Sequence, residues 1–259
     1  MLLSTGSLAA PDRPDPTPQP DRWTGPFGGV FHADFTVASD YGQNGISSTG
    51  NQPAVIVGLN WHSQSLLPDG PRLRFYVSAL GVNTSFPEAG TGVEIDLAAG
   101  FKLGLFDRKL SIDAGYIRYF FPGFSPDFAL EFGEFSLRVD YDFGPFTASG
   151  RLRYSPDTIG HAGFTWNKRG MIIVPIDFVP LPDGLKLKAY GSLGNLWVEK
   201  PDILDLPGND YWFWQLGVVT SFWGLDLTLA YTDTNITTEG CGNTRACEGR
   251  FFASITKVF

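Results

Sequence analysis

The sequence predicts a closed, up-and-down antiparallel β-barrel of about twelve strands, of the kind that spans a membrane. Three observations predict it. Apolar and polar side chains alternate along segments of about ten residues, short turns alternate with long loops, and aromatic residues gather at the segment ends. The stretch 93–103 sets the pattern. Val93, Ile95, Leu97, Ala99, Phe101 and Leu103 fall on one face, and Glu94, Asp96, Ala98, Gly100 and Lys102 on the other, because successive strand side chains point to opposite sides. A helix would gather Glu94, Leu97 and Ala98 on one stripe, so the period of two selects a strand.

Composition agrees with a single barrel domain of 259 residues. Charged residues make up 18%, below the roughly 25% of soluble globular proteins, while 31 glycines and an aromatic fraction of 15% supply turns and rings. A net charge of −8 excludes a duplex nucleic-acid binder, which needs a basic footprint. No apolar run approaches the 18 or so residues of a spanning helix, so residence in a membrane requires a barrel or an anchor. Residues 1–10, ending in Leu8, Ala9 and Ala10, read either as the remnant of a signal peptide or as an ordinary N-terminal tail. Residues 11–28 are a Pro-rich linker, and 29–259 form the barrel.

In chain order, Phe31, Ala33, Phe35 and Val37 oppose His32, Asp34 and Thr36. The polar loop SDYGQNGISSTGN leads to Val55, Val57, Leu59 and Trp61, opposed by Gly58, Asn60 and His62. After the LPDGP turn, Leu73, Phe75, Val77 and Ala79 oppose Arg72, Arg74, Tyr76 and Ser78. NTSFPEAG enters 93–103, and FDRK leads to Leu110, Ile112 and Ala114 against Ser111, Asp113 and Gly115. A slip of phase near 116–119 and Gly133 predicts a bulge. Phe135, Leu137, Val139 and Tyr141 oppose Glu134, Ser136, Arg138 and Asp140; after FGP, Phe146, Ala148, Gly150, Leu152 and Tyr154 oppose Thr147, Ser149, Arg151 and Arg153. Ile172, Val174 and Ile176 precede PLPDG, and Leu185, Leu187 and Ala189 oppose Lys186, Lys188 and Tyr190. Trp212, Trp214, Leu216 and Val218 run to the WG turn; Leu225, Leu227, Leu229 and Tyr231 follow it; Phe251, Ala253, Ile255 and Phe259 end the chain.

The connections LPDGP, FDRK, FGP, PLPDG and WG are expected to alternate strictly with long loops, which places both termini on the short-turn side. Tyr141, Phe143, Phe146, Phe178, Phe222, Trp223 and Phe259 make one expected aromatic girdle, and Tyr41, Tyr119, Tyr154, Trp166, Trp197, Tyr211, Trp212 and Tyr231 the other. Cys241 and Cys247, close together in a polar segment, read as a loop disulfide, which implies an oxidising compartment. His32, His62 and His161 are scattered and suggest no metal site.

The ordered segments SDYGQNGIS (39–47), VEIDL (93–97), YFFPG (119–123), SPD (155–157), DYWFWQLGV (210–218) and LTLAYTDT (227–234), with the final Phe259, resemble the TorF-type outer-membrane porins of bacteria. The resemblance spans about residues 31–259. It implies a barrel in the bacterial outer membrane, in contact with its lipid, with Phe259 ending the signal that the barrel-assembly machinery takes from the C-terminal strand. In that family an arginine commonly stands where this chain has Asn44.

With the apolar face toward lipid, the polar face lines a lumen. Arg138, Arg151, Arg153, Lys186 and Lys188 are expected to form a basic wall, Glu94, Asp96 and Asp113 a facing acidic one, and Arg72 and Arg74 to add positive charge near one mouth. This pattern predicts a narrow diffusion channel for small hydrophilic solutes or ions that needs no cofactor. A barrel whose charges pair across a plugged lumen, serving a structural or adhesive role, is the alternative. Catalysis is not expected. His62 is the one candidate base on the polar face of a strand, and no GxSxG nucleophile motif accompanies it.

Overall fold

In the computed structural model, residues 28–67, 70–86, 90–124 and 129–259 are described. The expected leader and all of the Pro-rich linker but Gly28 lie outside the described residues. Twelve strands close a barrel: β1 (Val30–Ala38), β4 (Ala54–His62), β5 (Arg72–Phe86), β6 (Thr91–Leu105), β7 (Leu110–Phe120), β8 (Phe132–Asp142), β9 (Thr147–Ser155), β10 (Thr165–Pro175), β11 (Lys186–Val198), β12 (Asp210–Phe222), β13 (Leu225–Thr234) and β14 (Arg250–Val258). Each is antiparallel to its sequence neighbours, and β1 pairs with β14 to close the ring. Two further strands, β2 (Gly42–Gln43) and β3 (Ile46–Ser47), form a separate hairpin inside the β1–β4 connection.

The period of two holds around the ring. Leu59, Leu97, Phe135, Ile172, Leu216 and Leu229 are about half exposed on the outside, whereas Glu94 and Glu134 on the opposite parity are 0% and 1% exposed. Water-soluble domains sort these residues the other way. Outward charges are confined to strand ends, with Arg118, Lys168 and Asp233 toward the long loops and Lys257 toward the short turns.

Three expectations change. No bulge occurs at 116–119 or Gly133, where the β6–β7 and β7–β8 registers run unbroken. The apolar inner residues Ile117, Tyr119 and Phe132 mimic a phase slip because that end of the lumen is apolar, packed in a core with Phe121, Leu130, Leu196, Val198 and Leu206. A register shift lies instead in β5–β6, between Asn83 and Phe86. Connection lengths do not alternate strictly, because β5 and β6 extend to 15 residues each and leave only residues 87–90 between them. Short-turn connections include the two-residue Trp223–Gly224 link, both residues at positive φ, the conformation a tight hairpin of this hand requires.

The aromatic sorting also needs correction. Phe143 and Phe146 stack at 4.8 Å, Phe178 and Trp223 are each 81% exposed, and Tyr154–Trp166, Phe164–Trp197 and Tyr231–Phe251 pair near the long loops. Tyr41, Tyr119 and Tyr211, however, are 1%, 0% and 2% exposed and belong to the interior. Tyr119 and Tyr211 stand at inward parity on their strands, and Tyr41 lies on the inward-folded loop.

Candidate functional site

The interior is divided by the β2–β3 hairpin, which Asn44 and Gly45 turn at φ 48° and 84°. An Asn-Gly pair flanked by strand residues is a strong signal for such a two-residue turn. Adding a Cβ at Gly45 would bring it within 2.4 Å of Thr234, so the tip lies against the inner face of β13. Asn167 Nδ2, on β10, donates to Asn44 Oδ1 at 2.8 Å. Tyr41 Oη and Gln43 Nε2 each donate to Glu94 on β6 at 3.0 Å. The hairpin therefore runs from β1 across to β10, five strands away round the ring.

Arg250 of β14 ties its root to its tip. Arg250 Nε donates to Asp40 at 2.5 Å and its Nη1 to the Gly45 carbonyl at 2.8 Å. Ser47 Oγ and Thr49 Oγ1 donate to the other Asp40 oxygen at 2.6 and 2.7 Å. Such charge-assisted bonds are the stronger kind. Above the hairpin, Ile46 joins the apolar core formed by the long-loop ends, which also takes in Ile159, Leu204, Leu206, Ile236 and Cys247. Cys241 and Cys247 form a disulfide with Cα atoms 6.1 Å apart, and the loop they close accepts Ser47 N–H at the Ala246 carbonyl. Arg245 Nε donates to Glu248 in the same loop at 2.9 Å, holding the Glu248 carboxyl below its ordinary range.

Below the hairpin, a row of registered positions carries Arg74, Lys102, Asp113, Arg138, Arg151 and Arg169 on β5 to β10 in turn. Arg138 Nε bonds Asp140 at 2.8 Å, and Asp113 accepts from Tyr76 Oη at 2.9 Å. A Cβ at Gly100 or Gly115 would come within 2.6 Å of that hydroxyl, so both glycines leave the room in which Tyr76 lies. One residue step toward the long loops from Arg151 is an outward position; two steps on, Arg153 Nη1 bonds Glu134 at 3.3 Å, and Tyr119 Oη donates to the same carboxylate at 2.9 Å.

The sequence placed acidic and basic walls face to face, and the structure places them side by side. Glu94, Asp96 and Asp113 stand on β6 and β7, directly followed round the ring by β8 and β9 with Arg138, Arg151 and Arg153. The basic set is itself split. Lys186 and Lys188 lie at the short-turn end of β11, opposite Ser221 and Val219, and Arg72 begins β5 at the same mouth. Arg169, Asn167, Gln43 and Arg250 also belong to the interior, and the sequence pattern assigned none of them there. For Asn167 and Arg169 the signal was present, since they share the inward parity of Met171 and Ile173.

His62 is not alone, because it stacks on His32 at 5.3 Å with rings 6° from parallel, and Tyr76 lies 6.0 Å away. His161 pairs with Asp157 in an exposed loop. Among the described residues no group of three His, Cys, Asp or Glu side chains is arranged to hold a metal.

Comparison with solved structures finds outer-membrane porins and channels among the matches, at low identity. The NanC porin shares 9% identity at a TM-score of 0.49, covering 87% of this chain and 98% of its own. An outer membrane channel from Pseudomonas putida F1 shares 14% at 0.46, covering 89% and 94%. LpxR from Salmonella typhimurium shares 11% at 0.45, covering 88% and 99%. No curated protein matches the chain by sequence. A family model matches residues 24–259, nearly the whole chain, and on that match the protein belongs to Gcw_chp, a family of bacterial proteins of unknown function.

Proposed function

We propose that this protein is an outer-membrane barrel of the porin type, of the TorF kind its motifs resemble, through which small hydrophilic solutes or ions diffuse past the internal hairpin. The observation that carries the reading is the inversion of polarity, with half-exposed leucine, phenylalanine and valine outside and buried carboxylates and guanidinium groups inside. Only a non-aqueous surround stabilises that arrangement. Leu216, in the middle of β12 and 61% exposed, meets the hydrocarbon in this reading. Leu216→Arg is expected to cost about 2–4 kcal/mol in urea unfolding from lipid vesicles; a change near zero would remove Leu216 from the bilayer.

Passage is tested by single-channel conductance of the refolded protein in planar bilayers. A steady conductance smaller than that of wide, sixteen-stranded porins is expected, because the hairpin occupies much of a lumen intermediate in width. The apolar core over the hairpin favours a second reading, a structural or adhesive barrel that conducts nothing. Silent insertion of correctly folded protein would select it. The C-terminal strand, with Phe259 paired to Ala33 through both backbone bonds, supplies the assembly signal in either case, and the yield of membrane-inserted barrel after deletion of Phe259 measures that role.

A further inference from the structure

We propose that Arg151 and Arg169 form an oxyanion-binding site in the lumen, which takes a carboxylate or phosphate group. They stand directly opposite one another on β9 and β10. Directly opposed side chains have Cβ atoms about 4.5–5.5 Å apart, and like charges so placed destabilise a sheet.

Three other guanidinium groups of the interior have carboxylate partners within the fold. Arg153 has Glu134, Arg138 has Asp140, and Arg250 has Asp40. Among the described residues Arg151 makes no hydrogen bond or ion pair, and its enclosed Nε and Nη2 have no partner. Arg169 Nη2 donates to Ser192 Oγ at 2.8 Å and to Gln215 Oε1 at 3.1 Å, but its Nε is unmet. That bond engages the amide oxygen of Gln215 and leaves Nε2 without a partner as well. Two adjacent guanidinium groups and an amide thus present donors and no acceptor.

Uncompensated enclosed charge is costly, and an anion bridging the two guanidinium groups offsets that cost through paired N–H···O bonds. Arg169 and Gln215 border a narrow polar opening beneath the hairpin residues Asn44 and Gly45, and Arg151 stands beside Arg169 on the neighbouring strand, outside that lining. Cations meet these two guanidinium groups in a registered row that also carries Arg74, Lys102 and Arg138 and are repelled, which is how charged rings select ions in pores.

The source of the anion, a solute in transit, rests on the porin reading; the site itself does not. The test therefore has two arms. Protein refolded in detergent is titrated with inorganic phosphate, and separately with acetate, against sodium chloride at equal ionic strength, with the shift in melting temperature as readout. Both anions are expected to raise it saturably, and the R151Q/R169Q variant to bind at least tenfold more weakly. Lys168→Gln, the loss of one positive charge on the outer face of β10, is expected to bind as the parent does. In the second arm, reversal potentials across a KCl gradient are expected to show anion preference in the parent and to move toward cations in R151Q/R169Q. Should that variant not fold, R151K/R169K keeps the charge, loses the planar fork, and is expected to weaken phosphate binding at least threefold. Phosphate binding without conductance would uphold the site and overturn the porin reading. Absent binding, or binding unchanged in the arginine variants, would overturn the site whatever the conductance.

Discussion

Replacing residues 41–48 by a short glycine-serine link is expected to raise single-channel conductance by roughly threefold or more, because a twelve-stranded ring without an internal element is wide enough for water and ions. The hairpin contacts β6, β10 and β14 through Glu94, Asn167 and Arg250, so its removal opens the lumen beneath the apolar core of the long-loop end. Arg250→Ala should act more mildly. It removes the bonds to Asp40 and to the Gly45 carbonyl, leaves the tip bond to Asn167, and is expected to produce flickering between two conductance levels. Unchanged conductance in the deletion variant, recorded from protein with the parent's circular dichroism spectrum, would mean that the hairpin does not limit passage.

Arg153→Ala is expected to destabilise the barrel by about 3–5 kcal/mol in urea unfolding from vesicles. Arg153 is 8% exposed and Glu134 1%, so truncating the arginine leaves a buried carboxylate without its ion-pair partner, though still bonded by the Tyr119 hydroxyl. The paired change Arg153→Met with Glu134→Leu removes both charges and should recover more than half of the loss, since an apolar pair of similar volume is often as stable as a buried ion pair. Equal instability in the single and paired variants would assign the effect to packing rather than to stranded charge. The same comparison separates this neutralised arginine from Arg151, two residues away on β9, whose truncation leaves no carboxylate behind.

The strands were legible because each lies between two media, and a residue on the wrong face carries an immediate cost. Val93 to Leu103 shows this in a single stretch, and the parity found there extends round the ring. The hairpin was not legible as an interior element. Gln43, Asn44 and Ser47 suit bulk water as well as a polar lumen, and the groups that bury them, Glu94, Asn167 and Ala246, lie far along the chain. Asn-Gly signalled the turn without indicating where the turn would lie. Tyr119 and Tyr211 mislead for a related reason, since position along a strand suggests a girdle while parity assigns them to the core. The pairing of Glu134 with Arg153 required knowing that β8 and β9 are neighbours and that Tyr119 reaches both. Arg169 needed only the alternation of β10 followed back from Ile173.

The seam between β1 and β14 has a consequence for how the barrel is made. Thr36 bonds Thr256 there across 220 residues of chain, whereas every other pairing in the ring joins strands adjacent in sequence or separated by one small hairpin. Hairpins can therefore accumulate one after another from local encounters, but the final stitch must await the last strand and bear the entropy of closing nearly the whole chain. Until then two bare edges remain, each a template for pairing with another copy. The yield of folded protein is thus set in competition between that single long-range closure and intermolecular pairing, and it should fall as concentration rises even though the finished barrel exposes no edge.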